Sequence, residues 1–327
     1  MPKEITHWAV AQKAAVRASE PHVRRIIENN MGLYLTGAVA VDSPYYAFTG
    51  GKKLFKSAGA RLHGMGEENP FTAVLRVPAV ARGEGGDQAL AFTLGALTHL
   101  IADTVFHPMV YYLTGDYDDP DKARRKKAVT LHRLLETRMD VWFAKSVKLA
   151  NGGSLLRSAA KAWTGAKAFT QLASSLFFGK DDMTSPARMA VASHAVIQSF
   201  FKRRWAGRLA GFYGCLARRD MGEFTALFYP PMTSAAPPFF SEPIRYKNPV
   251  TGEAREESLG EMEQKAVETC AGWFDSISKN PDPTRLWEAC RRLAGAEAPW
   301  GGKPVHFSTE REMDRLLETL SGFRTAR

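Results

Sequence analysis

Apolar residues recur at three- and four-residue intervals along most of the chain, and no clear run of alternating apolar and polar residues marks a hairpin, so the pattern predicts helices. From Thr6 to Asn29 it predicts helix with a restart near Pro21, and Asn29-Asn30 followed by Gly32 supplies turn chemistry. The next run, LYLTGAVAVDSPYYAF, loses its apolar character at Asp42. Pro44 disfavours a helical state for the residue before it, which places Asp42 at the end of an element. Arg61 to Pro70 is turn-prone, and Arg82 to Asp87 reads as a loop ahead of a long helix beginning near Gln88. Within that helix, Phe92 to Leu113 is long enough for a membrane span, yet it carries His99, Asp103 and His107, whose burial in lipid is costly. The expectation is a core helix with a polar stripe.

After the GDYDDPD turn, the basic run Lys122 to Lys127 leads into AVTLHRLLETRMDVWFAKSVKLA, again helical in pattern, with a break at Asn151-Gly152-Gly153. Further apolar and aromatic segments follow at Leu155 to Phe178 and Ala187 to Tyr213. The MGEF segment and the proline-rich YPPMTSAAPPFFSEP separate them from a tail with plausible helices at Gly260 to Ile277, Thr284 to Ala294 and Thr309 to Leu320. No fixed-period repeat is evident. The expected class is all-α, with a predominantly helical domain over 1–229 and, over 230–327, a proline-rich connection and helical extension that could pack on the same domain.

Composition narrows the picture. With 327 residues, 45% hydrophobic and 24% charged, the chain can build a substantial core, which excludes a mostly disordered protein and a staple-dependent miniprotein. The 44 basic against 34 acidic residues give +10. That favours anionic partners without choosing among a lipid surface, a nucleic acid and a phosphorylated small molecule. Cys215, Cys270 and Cys290 share no CxxC spacing, so neither a disulfide scaffold nor a thiolate zinc site is indicated. The opening residues, MPKEITHWAVAQKAA, lack an apolar run behind a basic start, so the expected location is cytoplasmic or peripheral to a membrane, without a signal peptide or a transmembrane segment.

The candidate chemistry lies in HLIADTVFH, which sets His99, Asp103 and His107 at i, i+4 and i+8. Successive members advance by about 40° around the helix, so all three share one face. His132 and Glu136 in HRLLE repeat the i, i+4 spacing and could close the same cavity from a neighbouring helix, while His7, Asp42 and His63 add three more possible ligands. Imidazoles and carboxylates without thiolates suit zinc, and eight donors exceed what one tetrahedral ion needs.

On these residues the chain resembles the zinc-dependent phospholipase C family and, more distantly, the single-strand nucleases that share its trinuclear-zinc helical architecture. The resemblance runs from about Thr6 to Glu136 through THW, GAVAVDSPYY, RLHG, FTLGALTHLIADTVFHP and HRLLE. It implies two or three zinc ions: Asp42, His63, His99 and Asp103 would hold one, His107, His132 and Glu136 a second, and His7 with Asp103 would contribute to a third. Two features depart from the secreted bacterial members. Their mature N-terminal tryptophan binds the third ion, whereas Trp8 here is internal, and the four-residue step from Asp103 to His107 is shorter than theirs.

The reaction implied is hydrolysis of a phosphodiester, preferably in a phospholipid, by a metal-activated water, with Asp42 as the candidate catalytic residue assisting its deprotonation. Tyr45, Tyr46 and Phe48 could form an aromatic wall around an organic headgroup. Lys122 to Lys127 could meet anionic lipid in a peripheral membrane contact, although a solvated charged face is the expected reading. His194 and His306 are expected to be structural or surface residues. Two alternatives stay open: a single-strand nuclease or nucleotidase acting on nucleic acid with the same metal architecture, and a noncatalytic binding protein stabilised by metal. The sequence fixes no oligomeric state.

Overall fold

The computed structural model describes residues 4–47, 51–64, 69–76, 86–147, 167–217, 220–232, 234, 236–279 and 305–322. Proline places the first break in the helical pattern: α1 (Glu4–Arg17) ends before Pro21, which opens α2 (Pro21–Asn29) at a position where its missing N–H costs nothing. Asn30 alone separates α2 from α3 (Met31–Ala40), so Gly32 belongs to the helix and not to the turn. Asp42 caps the following 3-10 turn, Ser43–Tyr46, at the element end that Pro44 predicts. Then come α4 (Lys52–Leu62) and α5 (Pro70–Arg76), two short helices for which the hydrophobic pattern makes no prediction, on either side of the turn-prone Arg61 to Pro70 segment.

The centre of the molecule is α6 (Gly86–Thr114), against which α1, α2, α3, α5 and α7 (Lys122–Phe143) pack. Its most apolar 18-residue window is 94% buried in protein, which accounts for a hydropathy otherwise long enough to cross a membrane. A helix that is apolar all round is a core helix, and α6 is the one described helix long and apolar enough to cross a membrane.

Outside this centre lie α8 (Lys167–Phe178), α9 (Thr184–Phe201) and α10 (Arg204–Leu216), the last two parting the apolar stretch Ala187 to Tyr213 at Lys202-Arg203. After the single turn α11 (Gly222–Thr225) comes a feature that the hydrophobic pattern does not predict, a two-stranded antiparallel hairpin of β1 (Ile244–Lys247) and β2 (Ala254–Glu257). Each strand has four residues, too few for alternation to stand out. Asn248 Oδ1 accepts from the N–H groups of Val250 and Thr251, and Gly252, at φ 75°, completes the turn. Then α12 (Leu259–Lys279) packs on α6 and α1, and α13 (Glu310–Gly322) on α7 and α6. Phe240, Leu259, Phe274, Met313 and Leu320 thereby join the same core cluster as Ile5, Trp8 and Phe106. The fold is an all-α multi-helix domain with a small added hairpin. The expected break at Asn151-Gly152-Gly153 and the expected helix at Thr284 to Ala294 lie outside the described residues.

Candidate metal centre

Two glycines make the site possible. Gly37 on α3 and Gly95 on α6 face each other so closely that a methyl group on either would overlap the opposite backbone, at the carbonyl of Phe92 or of Tyr34. At that approach the Ala38 carbonyl reaches Nδ1 of His99 at 2.9 Å. His63, which caps α4, is set in the same way, its Nδ1 2.8 Å from the Gly59 carbonyl and its Nε2 3.0 Å from Oδ1 of Asp42. A carbonyl only accepts, so in both rings Nδ1 carries a proton and Nε2 is left for a metal, the arrangement in which an outer carbonyl orients a ligating imidazole. A bare Nε2 facing a carboxylate at 3.0 Å needs a cation at that contact, a proton or a metal ion.

Asp103 lies at the middle of the group. It is fully buried, and neither of its oxygens makes a hydrogen bond. Oδ1 stands 3.6 Å from Nε2 of His7 and 3.8 Å from Nε2 of His107, while Oδ2 stands 3.2 Å from Nε2 of His99 and 3.8 Å from Nε2 of His63. On the far side, Nε2 of His107 and of His132 lie 3.8 and 2.9 Å from Oε1 of Glu136. All eight candidate ligands of the sequence reading therefore converge. Their donor atoms form three triads, His7–His99–Asp103, Asp42–His63–His99 and His107–His132–Glu136, with atoms inside each within 4.8 Å of one another.

The residues fit zinc. They offer only imidazole nitrogens and carboxylate oxygens. Both ring nitrogens of His7, Nε2 of His99 and both oxygens of Asp103 are buried without a hydrogen bond. Unsatisfied polar groups at this density cost on the order of several kcal/mol, and a cation removes that cost. The triads accommodate one to three zinc ions.

The charges interlock. Burial opposes ionisation throughout, yet His99 is pushed up to about 10 because Asp103 and Asp42 face it. His7, buried and stacked on His99 at 3.8 Å, is lowered to about 3 by desolvation and by that neighbour's charge. Burial lowers His132 to about 4 against the opposing pull of Glu136. Despite their own burial, Asp42 is held low chiefly by His99, Asp103 by His107 and His99, and Glu136 by His132.

The position of α1, and with it His7, depends on a residue outside the eight. Asp140 Oδ2 accepts from the Ile5 N–H and Oδ1 from the Thr6 N–H and hydroxyl, so a carboxylate on α7 satisfies free donors in the first turn of α1. The Tyr229 hydroxyl donates to Oδ2 from the other side. The sequence does carry a signal for this residue. His132, Glu136 and Asp140 repeat on α7 the i, i+4, i+8 stripe of α6, one step beyond the HRLLE pair. Trp8 is a core residue whose indole donates to the Leu35 carbonyl.

The aromatic residues part company. Tyr45 is partly exposed, its ring packed beside Gly59 and His63, 5.3 Å from the latter between ring centres, whereas Tyr46 stacks on His194 at 4.1 Å and its hydroxyl accepts from Gln198. Phe48 lies outside the described residues. His194 is buried behind the Asp42 turn with Nδ1 3.1 Å from the Ser43 hydroxyl, and His306 is exposed beside Gly252. Tyr111 and Tyr117, which the sequence did not single out, close around His132 at 5.2 and 4.7 Å. In the Lys122–Lys127 run, Arg124, Lys126 and Lys127 pair with Asp119, Asp220 and Asp314, and Arg125 donates to the Asp119 carbonyl.

A family model described as zinc dependent phospholipase C matches residues 6–203, the span from α1 to just past α9 that contains all eight donors. No curated protein and no solved structure matches the chain significantly. The match covers more than half of the sequence and contains the three triads. The chain belongs to the zinc-dependent phospholipase C family, and its chemistry is zinc-dependent phosphodiester hydrolysis.

Proposed function

We propose that the phosphodiester is that of a phospholipid, cleaved on the glycerol side to leave diacylglycerol and a phosphorylated headgroup, and that the eight converging donors are its zinc ligands. The single observation that carries this reading is the clustering of His7, Asp42, His63, His99, Asp103, His107, His132 and Glu136 about one buried carboxylate, within the matched span.

Zinc held by these residues supplies Lewis-acid polarisation of the phosphoryl oxygens and acidifies water. The chain's own groups do the rest. Among the carboxylates of the cluster Asp42 is the most open, its side chain 8% exposed against 0% for Asp103 and 4% for Glu136, so attacking water can reach it. It is ionised at neutral pH because of His99 and His63, so it can orient an attacking water by accepting its hydrogen bond, while its lowered pKa makes it a weak base. Tyr45 stands at the same opening as a neutral phenol, its ionisation opposed by burial and by Asp42. A phenol there donates a hydrogen bond to a phosphoryl oxygen without adding charge. His99 and His63 keep their orientation through the Ala38 and Gly59 carbonyls.

Product analysis tests the reading. Diacylglycerol released from phosphatidylcholine or phosphatidylglycerol, with no cleavage of single-stranded DNA or RNA, is expected, whereas turnover of nucleic acid alone would replace the lipid with a nucleotide substrate.

A further inference from the structure

The helix α10 is built inside out. Its small residues pack inward: Ala206 is buried, Ala210 lies against the core, and Gly207 faces the Phe228 side chain so closely that a Cβ would stand 3.1 Å from it. Its large apolar residues point to solvent, with Trp205 58%, Phe212 67% and Leu216 74% exposed, and Leu209 and Tyr213 exposed beside them. At about 100° per residue these five fall within an arc of roughly 100°, and Gly207 lies nearly opposite its centre. The patch continues onto α9, where Phe200 meets Trp205 edge-on at 6.2 Å and Val196 is exposed one turn earlier.

Charge frames the patch. Arg208 flanks the arc and Arg203 and Arg204 lie at the N-terminal end of the helix; all three are exposed and form no ion pair among the described residues, and α10 itself carries no acidic side chain. A second copy of the chain on this face would bring like charges together, which disfavours self-association. Trp205, Phe212 and Tyr213 present planes on which a base could stack, but Leu209 and Leu216 between them, with Val196 beyond, make the face continuously apolar, which suits acyl chains better than bases. A helix with exposed Trp, Phe and Leu on one arc and arginines at its margin matches the boundary between acyl chains and anionic headgroups.

We propose that α10 docks the protein onto anionic bilayers, with Trp205, Leu209, Phe212, Tyr213 and Leu216 entering the interface and Arg203, Arg204 and Arg208 meeting lipid phosphates. This deepens the phospholipase reading and rests on it for its purpose, because it delivers the metal centre to its substrate. The helix begins one residue beyond the family match. It also follows directly from α9, whose other face carries His194 and Gln198 behind the turn that presents Asp42.

The test measures cosedimentation of the zinc-loaded full chain with phosphatidylcholine vesicles, with and without phosphatidylglycerol, beside hydrolysis of a water-soluble short-chain phosphatidylcholine below its micelle concentration. The expected result is binding that requires phosphatidylglycerol and weakens with salt. In the Leu209→Gln/Phe212→Gln variant that binding falls at least about tenfold while hydrolysis of the monomeric substrate is unchanged, and in the Arg203→Gln/Arg204→Gln/Arg208→Gln variant the preference for phosphatidylglycerol disappears. Failure of the wild type to bind, or equal binding by the first variant, overturns the proposal. So does a variant that changes only the oligomeric state, or only the binding of a single-stranded oligonucleotide. Vesicle binding without hydrolysis of any phospholipid would leave the docking face standing and remove the lipid as substrate, so the two failures are distinguishable.

Discussion

Asp103 Oδ2 stands 3.2 Å from Nε2 of His99, one turn earlier on α6, and neither atom makes a hydrogen bond in the folded protein. Both side chains are fully buried, and the other nitrogen of His99 is committed to the Ala38 carbonyl. With Asp42 on the second side of His99 at 3.5 Å, two carboxylates converge on one imidazole. Packing alone does not reward that arrangement, because buried charge without donors is costly. Divalent cations offset it, so the pair is the most direct mark of metal chemistry in the chain.

Replacing Asp103 by Asn preserves shape and removes charge. Zinc bound per chain is expected to fall by at least one equivalent, and phosphodiester hydrolysis by about a hundredfold or more. The metal-free fold is expected to lose stability as well, because His107 and His99 favour the ionised Asp103 that the substitution removes. Elemental analysis and thermal unfolding in chelator, run side by side, check both halves.

Asp140 acts at a distance from the ions by holding the first turn of α1. Asp140→Ala leaves the donors of Ile5, Thr6 and Tyr229 without their acceptor and is expected to cost about 3 kcal/mol. Hydrogen exchange should show loss of protection concentrated in α1, and zinc affinity should fall with it through His7. Uniform loss of protection would assign Asp140 to general stability instead.

Gly95 is the position where α6 touches α3. Gly95→Ala is expected to push the helices apart, destabilise the fold by about 3 kcal/mol and break the His99–Ala38 hydrogen bond. Zinc affinity should decline more than in an exposed control such as Gly211→Ala, since no heavy atom lies within 4 Å of the position a Cβ would take at Gly211. Equal affinities in the two variants would disconnect the crossing from the site.

His194 gives the fold a pH dependence of its own. Burial lowers its pKa from 6.5 to about 3, so the unfolded chain takes up the proton first. The stability this confers is full above pH 6.5 and is lost as pH falls towards 3, at about 1.4 kcal/mol per unit. Urea unfolding of the metal-free protein at pH 7 and 5 should therefore show His194→Gln losing about 2 kcal/mol less than the wild type over that interval. Parallel losses would contradict it.

The sequence showed the all-α class and five of the eight donors, His99, Asp103, His107, His132 and Glu136, because these depend on helical periodicity, whereas His7, Asp42 and His63 joined them as further candidate ligands and through the family resemblance. His99, Asp103 and His107 are spaced so that a regular helix has no choice but to align them. What it did not show depends on contacts between distant segments. Asp140 reads as one more polar position on α7 until α1 is seen docking its first turn there. The β1–β2 hairpin is too short for alternation to register, and Tyr111 and Tyr117 gain meaning only once His132 lies between them. The outward face of α10 was hidden for a different reason. Periodicity reports that one side of a helix is apolar, and the usual inference places that side inward, whereas here Ala206 and Gly207 take the inner position.

The most direct test is zinc titration of the metal-free protein, following bound metal and phosphatidylcholine hydrolysis in one experiment. The account predicts no turnover at the start and activity that rises with zinc, saturates by three equivalents per chain and vanishes again on chelation. Full hydrolysis by the metal-free protein, or a folded chain that takes up no zinc, would contradict it.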